Sequence, residues 1–270
     1  MPDLPAPLDR YDHVLLDLDG CVRVGEAATP RADAAVAALR AAGKGVAFIT
    51  NDLALAPEEV VRQLWGLGVR AALDEVVTVG GAIQHVLAET QRWRTAFVIG
   101  GSTLHRHVGA AGIRILNHTD MATRVDVVVV GAHDGFDYAE LRTATQAVLH
   151  GAGLLAAGRD ATFPAPDGLW PGTGAVLAAV EAATGVTATS VGKPEPQLFV
   201  TALDRLGGGS AIMVGDRLDS DVAGARATGL DAAVVLTGVT SREAAELAAA
   251  QDGSPIVAVA ASLGALVLGP

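Results

Sequence analysis

The chain has 270 residues, half of them hydrophobic, and 30 acidic against 19 basic side chains give it a formal charge of -11. That acidity argues against a nucleic-acid partner, because phosphate backbones select basic surfaces. No apolar run, Val127–Val130 included, approaches the roughly 20 residues that cross a bilayer, so no membrane span is expected.

Met1–Tyr11 holds prolines and lacks a basic region followed by an apolar stretch, so it does not read as a secretory leader. Cys21 is the only cysteine and can form no internal disulfide, which agrees with a reducing compartment. A compact cytoplasmic protein is the expectation.

Short Val/Ile/Leu runs alternate with Ala-rich helical patterns almost throughout, the signature of parallel βαβ units in an α/β protein. His13 to Leu16 reads as a strand running into the loop Asp17-Leu18-Asp19-Gly20. Thr29-Pro30 then suggests an N-cap and first-turn proline for a helix carrying Ala32, Ala35, Val36 and Leu39 and stopping at Gly43. Gly45 to Ile49 reads as the next strand, followed by Thr50-Asn51 and a helix opening at Pro57. Further strands are expected at Ala211 to Val214, Asp231 to Leu236 and Ile256 to Val259.

Residues 80–180 carry a second alternating set, with strands near Ala96 to Ile99, Ile113 to Leu116, Val125 to Val130 and Leu154 to Ala157, and a helix at Tyr138 to Leu149. The stretch from Asp167 to Gly174 is turn-rich and precedes a helix at Ala175 to Ala183. The expected organisation is a core from residues 1–79 and 181–270 interrupted by an inserted α/β domain at 80–180.

The residues with chemistry follow predicted strands: Asp17 and Asp19, Thr50 and Asn51, and Asp216 through Asp221. In open parallel sheets the crevice beyond the carboxyl ends of the strands is where ligands bind, and loop N–H groups there suit an anion. Asp17 and Asp19 alternate along an extended segment. One can attack phosphorus while the other protonates the leaving oxygen and later deprotonates water. Gly20 lets the chain turn away sharply. By itself Asp-x-Asp-Gly is also a turn or calcium-loop pattern.

Gathering Asp17, Asp216 and Asp221 costs about 3 kcal/mol per pair at 5 Å and an effective dielectric near 20, which a divalent cation would offset. An all-oxygen set favours Mg²⁺ over zinc. Asp219 and Asp221 also suit a helix N-terminus. Thr50 and Asn51 can donate to phosphoryl oxygens or simply cap a strand. Lys193, in Gly192-Lys-Pro-Glu-Pro, can hold its ammonium against nucleophile and phosphate. It is not a P-loop lysine, since Pro194 stands where Ser or Thr is required.

With these four motifs in order, the chain resembles the haloacid dehalogenase superfamily, and the large insertion and the Pro171-Gly-Thr-Gly174 turn resemble its type IIA, NagD-like branch. The resemblance implies a Rossmann-like doubly wound parallel sheet core with an inserted α/β cap that covers the site. It implies Mg²⁺-dependent hydrolysis of a small phosphorylated metabolite through an aspartyl phosphate. Asp17 would be the nucleophile, Asp19 the general acid and base, and Thr50 and Lys193 the phosphoryl ligands. Asp17, the Asp19 carbonyl and Asp216 would contact the metal, with Asp221 acting through its waters. A homodimer formed through the cap is a further family-based expectation.

Three departures concern specificity. Asp52 follows Asn51 where many relatives have a second asparagine, Gly158-Arg159-Asp160 replaces Asn-Pro-Asp, and Cys21 replaces Thr or Val. Asp52 would disfavour a second anionic group on the substrate, whereas Arg159 would welcome one. Trp170 either touches substrate or packs at the domain junction. His105 and His107, two apart on a helix, face different directions and make a shared metal site improbable. Cys21 is either an oxidation-sensitive neighbour of the nucleophile or a small buried residue. Phosphotransfer, as in a mutase, and non-catalytic phosphometabolite binding are the competing functions. The intact Asp17–Asp19 pair argues against the latter and against a dehalogenase.

Overall fold

The computed structural model describes residues 7–90, 92–165 and 168–269. Met1–Ala6, part of the stretch read for a leader, and Asp167 of the turn-rich segment lie outside them. Among the described residues no helix is long and apolar enough to cross a membrane.

The chain forms two compact units. One comprises the chain up to Thr50, Pro57–Val77 and the chain from Lys193 onward, and the other comprises Asn51–Ala56 and Thr78–Gly192. The first unit is built on a six-stranded sheet in the order Ile256–Ala260, Asp231–Val235, Ala211–Gly215, His13–Asp17, Gly45–Thr50, Val76–Thr78. Strand His13–Asp17 runs parallel to both its neighbours. From it the chain winds outward in both directions, which makes the ends of the central strands a topological switch point. Val14, Leu15, Leu16, Ile212, Met213 and Val214 are all fully buried. Strands covered on both faces read as unbroken apolar runs, which is why they were legible.

The first helix, Ala32–Ala41, buries Ala32, Ala35, Val36 and Leu39. Its start corrects the expectation for Thr29. The flanking residue is Arg31, in a left-handed conformation and with no side-chain cap. The Thr29 hydroxyl instead donates to the Cys21 carbonyl at 2.6 Å, tying the helix entrance to the Asp17-Leu-Asp-Gly loop.

The second unit has its own parallel sheet, ordered Thr189–Ser190, Gly153–Ala156, Val127–Val130, Thr95–Ile99, Arg114–Ile115. The strand expected from Val125 begins only at Val127. The Asp126 carboxylate instead accepts from the backbone N–H groups of Arg94 and Thr95, each at 2.8 Å. The helix Thr173–Thr184 places Val176, Leu177 and Val180 in this unit's buried cluster. Ser190 pairs with Ala156. Residues 181–192, assigned from the sequence to the core, therefore pack with the second unit. Part of the turn-rich segment, Gly168–Pro171, is instead a strand that pairs antiparallel with Thr162–Ala165. Proline is tolerated in such a pair because only one edge of each strand is bonded.

Candidate active site

Three adjacent strands deliver the polar residues. Asp17 ends the first strand opposite Ile49, Thr50 ends the second, and Asp216 follows Gly215 at the end of Ala211–Gly215. A single helical turn, Leu218–Val222, returns Asp221 to the same place. Carboxylate oxygens of Asp17, Asp216 and Asp221 lie within 4.8 Å of one another, and all three residues are buried. Lys193 enters from a separate loop and donates to Asp17 Oδ1 and, at 2.7 Å, to Asp221 Oδ1. Thr50 is equally buried.

Glycines make this packing feasible. Gly20, at φ +94°, faces the Asp216 carboxylate, as does Gly238, and Gly215 faces Asp221. A Cβ at any of the three would overlap a carboxylate. The Thr237 hydroxyl donates to the Gly20 carbonyl at 2.5 Å, and the Val239 N–H donates to Asp216 Oδ2 at 2.6 Å. The segment Thr237–Val239 thus clamps both the first loop and Asp216. It was missed in the sequence, where a Thr-Gly pair after a strand is indistinguishable from an ordinary turn.

Three carboxylates confront one ammonium, and the electrostatics show the imbalance. Burial pushes the Asp17 carboxyl well above the usual carboxylate range. The Lys193 ammonium opposes that push, while Asp221, Asp216 and Asp19 reinforce it. Burial works against the charge on Lys193, yet Asp17 and Asp221 hold its pKa above the ordinary lysine value. Asp216 is pushed up to about 6 by burial and by Asp221, against the Val239 N–H.

A hard divalent cation fits this arrangement. Asp216 Oδ1 is buried with no hydrogen-bond partner among the described residues, and the trio offers only carboxylate oxygens, the donors Mg²⁺ prefers. Asp17, Asp216 and Asp221 are the residues that could hold it.

In the metal-free protein Asp216 has a pH signature. Its folded-state pKa near 6 exceeds the reference 3.8, so the native state binds the proton more tightly than the unfolded chain does. Its contribution to stability is present below about pH 4 and lost as pH rises through about 6, a change on the order of 3 kcal/mol. Urea unfolding in the presence of chelator is expected to show this decline in the parent and a flatter profile in Asp216→Asn. Superimposable pH profiles would contradict the assignment.

Asp19, in the same loop, is partly exposed and pairs with Arg23, Nε lying 3.0 Å from Oδ1. Asp219 lies outside the cluster, paired with Arg217 at 3.0 Å. The Cys21 thiol is pushed well above its usual pKa by burial and then by Asp17, Asp221 and Asp216. It is held protonated, the state least reactive toward oxidants.

The remaining candidates belong to the second unit. Asn51 Nδ2 donates to Asp160 Oδ2 at 2.8 Å, and Asp52 Oδ1 accepts from the Ala54 N–H at 2.7 Å. The Arg159 guanidinium is engaged by Glu181 at 2.9 Å and by the Ala188 carbonyl at 3.0 Å. Trp170 packs edge-on against Phe163 in the hairpin, ring centroids 6.3 Å apart. His105 lies against the Gly101 carbonyl and His107 against Gln84, so the two share no site.

Comparison with known proteins agrees with this geometry. A family model for haloacid dehalogenase-like hydrolases matches residues 14–114, and one described as HAD-hydrolase-like matches residues 190–265. An acid sugar phosphatase of Staphylococcus aureus is 33% identical over 87% of this chain and 90% of its own length. The D-glycerol 3-phosphate phosphatase of Mycobacterium tuberculosis is 36% identical over 86% of this chain, which spans only 65% of that longer protein. A crystal structure of glycerol phosphate phosphatase from Mycobacterium tuberculosis in complex with magnesium superposes with a TM-score of 0.83 at 34% identity, covering 96% of this chain and 77% of that one. From its motifs, its parallel sheet and these relatives, the chain belongs to the haloacid dehalogenase-like hydrolase family, in its NagD-like branch.

Proposed function

We propose that this protein is a Mg²⁺-dependent phosphatase that hydrolyses a small phosphomonoester through an aspartyl phosphate on Asp17. The observation that carries the reading is the buried convergence of Asp17, Lys193, Asp216 and Asp221 at the ends of adjacent strands.

Only an ionised carboxylate attacks phosphorus. Burial opposes that state in Asp17, and the Lys193 ammonium against Oδ1 favours it. As the Asp17–phosphorus bond forms, the ester P–O bond breaks and its electron pair leaves with the alkoxide oxygen. Asp19, the more exposed acid of the same loop, delivers the proton that neutralises it. Water then attacks phosphorus, Asp19 takes its proton, and Asp17 is released together with inorganic phosphate. Thr50 and Lys193 bind the phosphoryl oxygens. Bound Mg²⁺ supplies Lewis-acid polarisation of those oxygens and offsets the crowded negative charge.

The second unit corresponds to the family's cap, with Asn51, Asp52, Arg159 and Trp170 as its candidates for substrate selection. Because Arg159 is already paired with Glu181, Arg159 is a weaker anchor for a second anionic group than the sequence suggested. The relatives' names favour a phosphorylated polyol or sugar. Release of inorganic phosphate from glycerol phosphate, sugar phosphates, phosphoglycolate, nucleotides and p-nitrophenyl phosphate tests the reading. Turnover is expected on at least one alkyl phosphate. Phosphate migration without release, or no reaction across the panel, would count against it.

A further inference from the structure

Arg23 stands four residues beyond Asp19 in a segment of otherwise small or apolar side chains, Cys21-Val22-Arg23-Val24-Gly25. Its side chain is only 6% exposed, whereas that of Asp19 is 37% exposed. The guanidinium lies against both carboxylate oxygens, Nη2 donating to Oδ2 at 3.1 Å and Nε 3.0 Å from Oδ1 in an ion-pair contact without hydrogen-bond alignment. Its remaining arm donates to Gln63 Oε1, on the helix Pro57–Gly66. The backbone of the same residue closes the loop. The Arg23 N–H donates to the Leu18 carbonyl at 2.9 Å, and the Gly20 N–H donates to the Arg23 carbonyl at 2.7 Å.

A buried guanidinium strongly resists losing its anionic partner, so Asp19 cannot exchange rotamers freely. One hydrogen bond to Oδ2 and the ion-pair contact at Oδ1 together restrict the tilt of the carboxyl group as well as its position. Each oxygen keeps a further lone pair directed away from the fork, so the group can be held and still exchange a proton.

We propose that Arg23 is a positioning residue for proton transfer, aiming the Asp19 carboxyl at the leaving-group oxygen in the first half-reaction and at the attacking water in the second. The proposal rests on the reading of Asp19 as general acid and base. A lysine would supply charge without the planar fork and would restrict the carboxyl tilt less.

Leaving-group dependence separates this role from general support of the loop. The phenolate of p-nitrophenyl phosphate departs with little protonation, whereas the alkoxide of glycerol phosphate does not. Arg23→Met keeps an apolar stem and removes the fork. With Mg²⁺ present, rapid mixing of this variant with p-nitrophenyl phosphate is expected to release the first equivalent of phenolate within about threefold of the parent rate, since acid assistance contributes little there. Steady-state turnover should fall about 10–100-fold, the scale of losing well-aimed proton transfer, and acid-quenched phosphoprotein should accumulate. With glycerol phosphate the first step itself should slow as well, so less phosphoprotein should build up than with p-nitrophenyl phosphate. Arg23→Lys should fall between parent and Met variant, and Asp19→Asn combined with Arg23→Met should be no slower than Asp19→Asn alone.

An initial phenolate burst slowed as much as the alkyl reaction would make Arg23 a support for Asp17 and overturn the proposal. So would parent-like turnover of Arg23→Met on both substrates while Asp19→Asn is impaired. Parent-like rates in Asp19→Asn would remove the acid–base reading itself. If Arg23→Met fails to show a cooperative thermal transition, the lysine variant carries the same comparison.

Discussion

Replacing Asp17 with asparagine is expected to lower phosphate release by at least about 10⁴-fold, the scale seen when a covalent nucleophile is removed, while the protein remains folded. The electrostatics give the reason for the second half of that expectation. Asp17 is a buried carboxylate that burial and three neighbouring acids destabilise and one ammonium stabilises. Removing its charge relieves the crowding around Asp216 and Asp221. Lys193 is not stranded by the change, because Asp221 Oδ1 remains 2.7 Å away. In the presence of chelator the thermal midpoint of Asp17→Asn should therefore equal or exceed that of the parent, as is usual where a site is held in a costly arrangement for chemistry. Phosphate assays and melting curves on the same samples check both halves. Turnover near the parent level would remove Asp17 from the mechanism.

Chelating divalent ions is expected to abolish turnover, and adding Mg²⁺ back to restore it. The same ion should raise stability, because a ligand bound only by the native state contributes about 2.7 kcal/mol at a hundredfold excess over its Kd. For a protein of this size that corresponds to a rise of about 5 °C or more in the melting temperature. The effect should be largest above about pH 6, where the proton that otherwise neutralises Asp216 is lost. In Asp216→Asn the magnesium-dependent rise should shrink sharply, since Oδ1 of Asp216 is a buried carboxylate oxygen left without a hydrogen-bond partner among the described residues. A melting temperature indifferent to Mg²⁺ in the parent would contradict a cation at this cluster.

The clamp formed by Thr237–Val239 shows why the trio can exist before a cation arrives. The Val239 N–H satisfies one oxygen of Asp216, Lys193 bridges the other two acids, and the Arg217 N–H donates to Asp221 Oδ2 at 3.1 Å. Each carboxylate thus keeps at least one donor, which moderates the penalty of burying it.

The amino-acid sequence alone determined the α/β class, the succession of buried parallel strands and the clustering of acids just after them. Those features are local: a run of Val, Ile and Leu dictates a strand within a few residues, and the loop beyond it holds whatever the next few positions supply. Tertiary structure decided everything that depends on distant partners. The motif offered Lys193 to the nucleophile 176 positions away, but only the fold adds Asp221 as its second partner and brings Val239 to Asp216. Thr29 binds the Cys21 carbonyl instead of capping its helix, Arg159 turns to Glu181, and residues 181–192 pack with the second unit because Ser190 finds a strand to join. A polar side chain has several partners of nearly equal worth in sequence, and only the packed fold, by burying some and exposing others, selects among them.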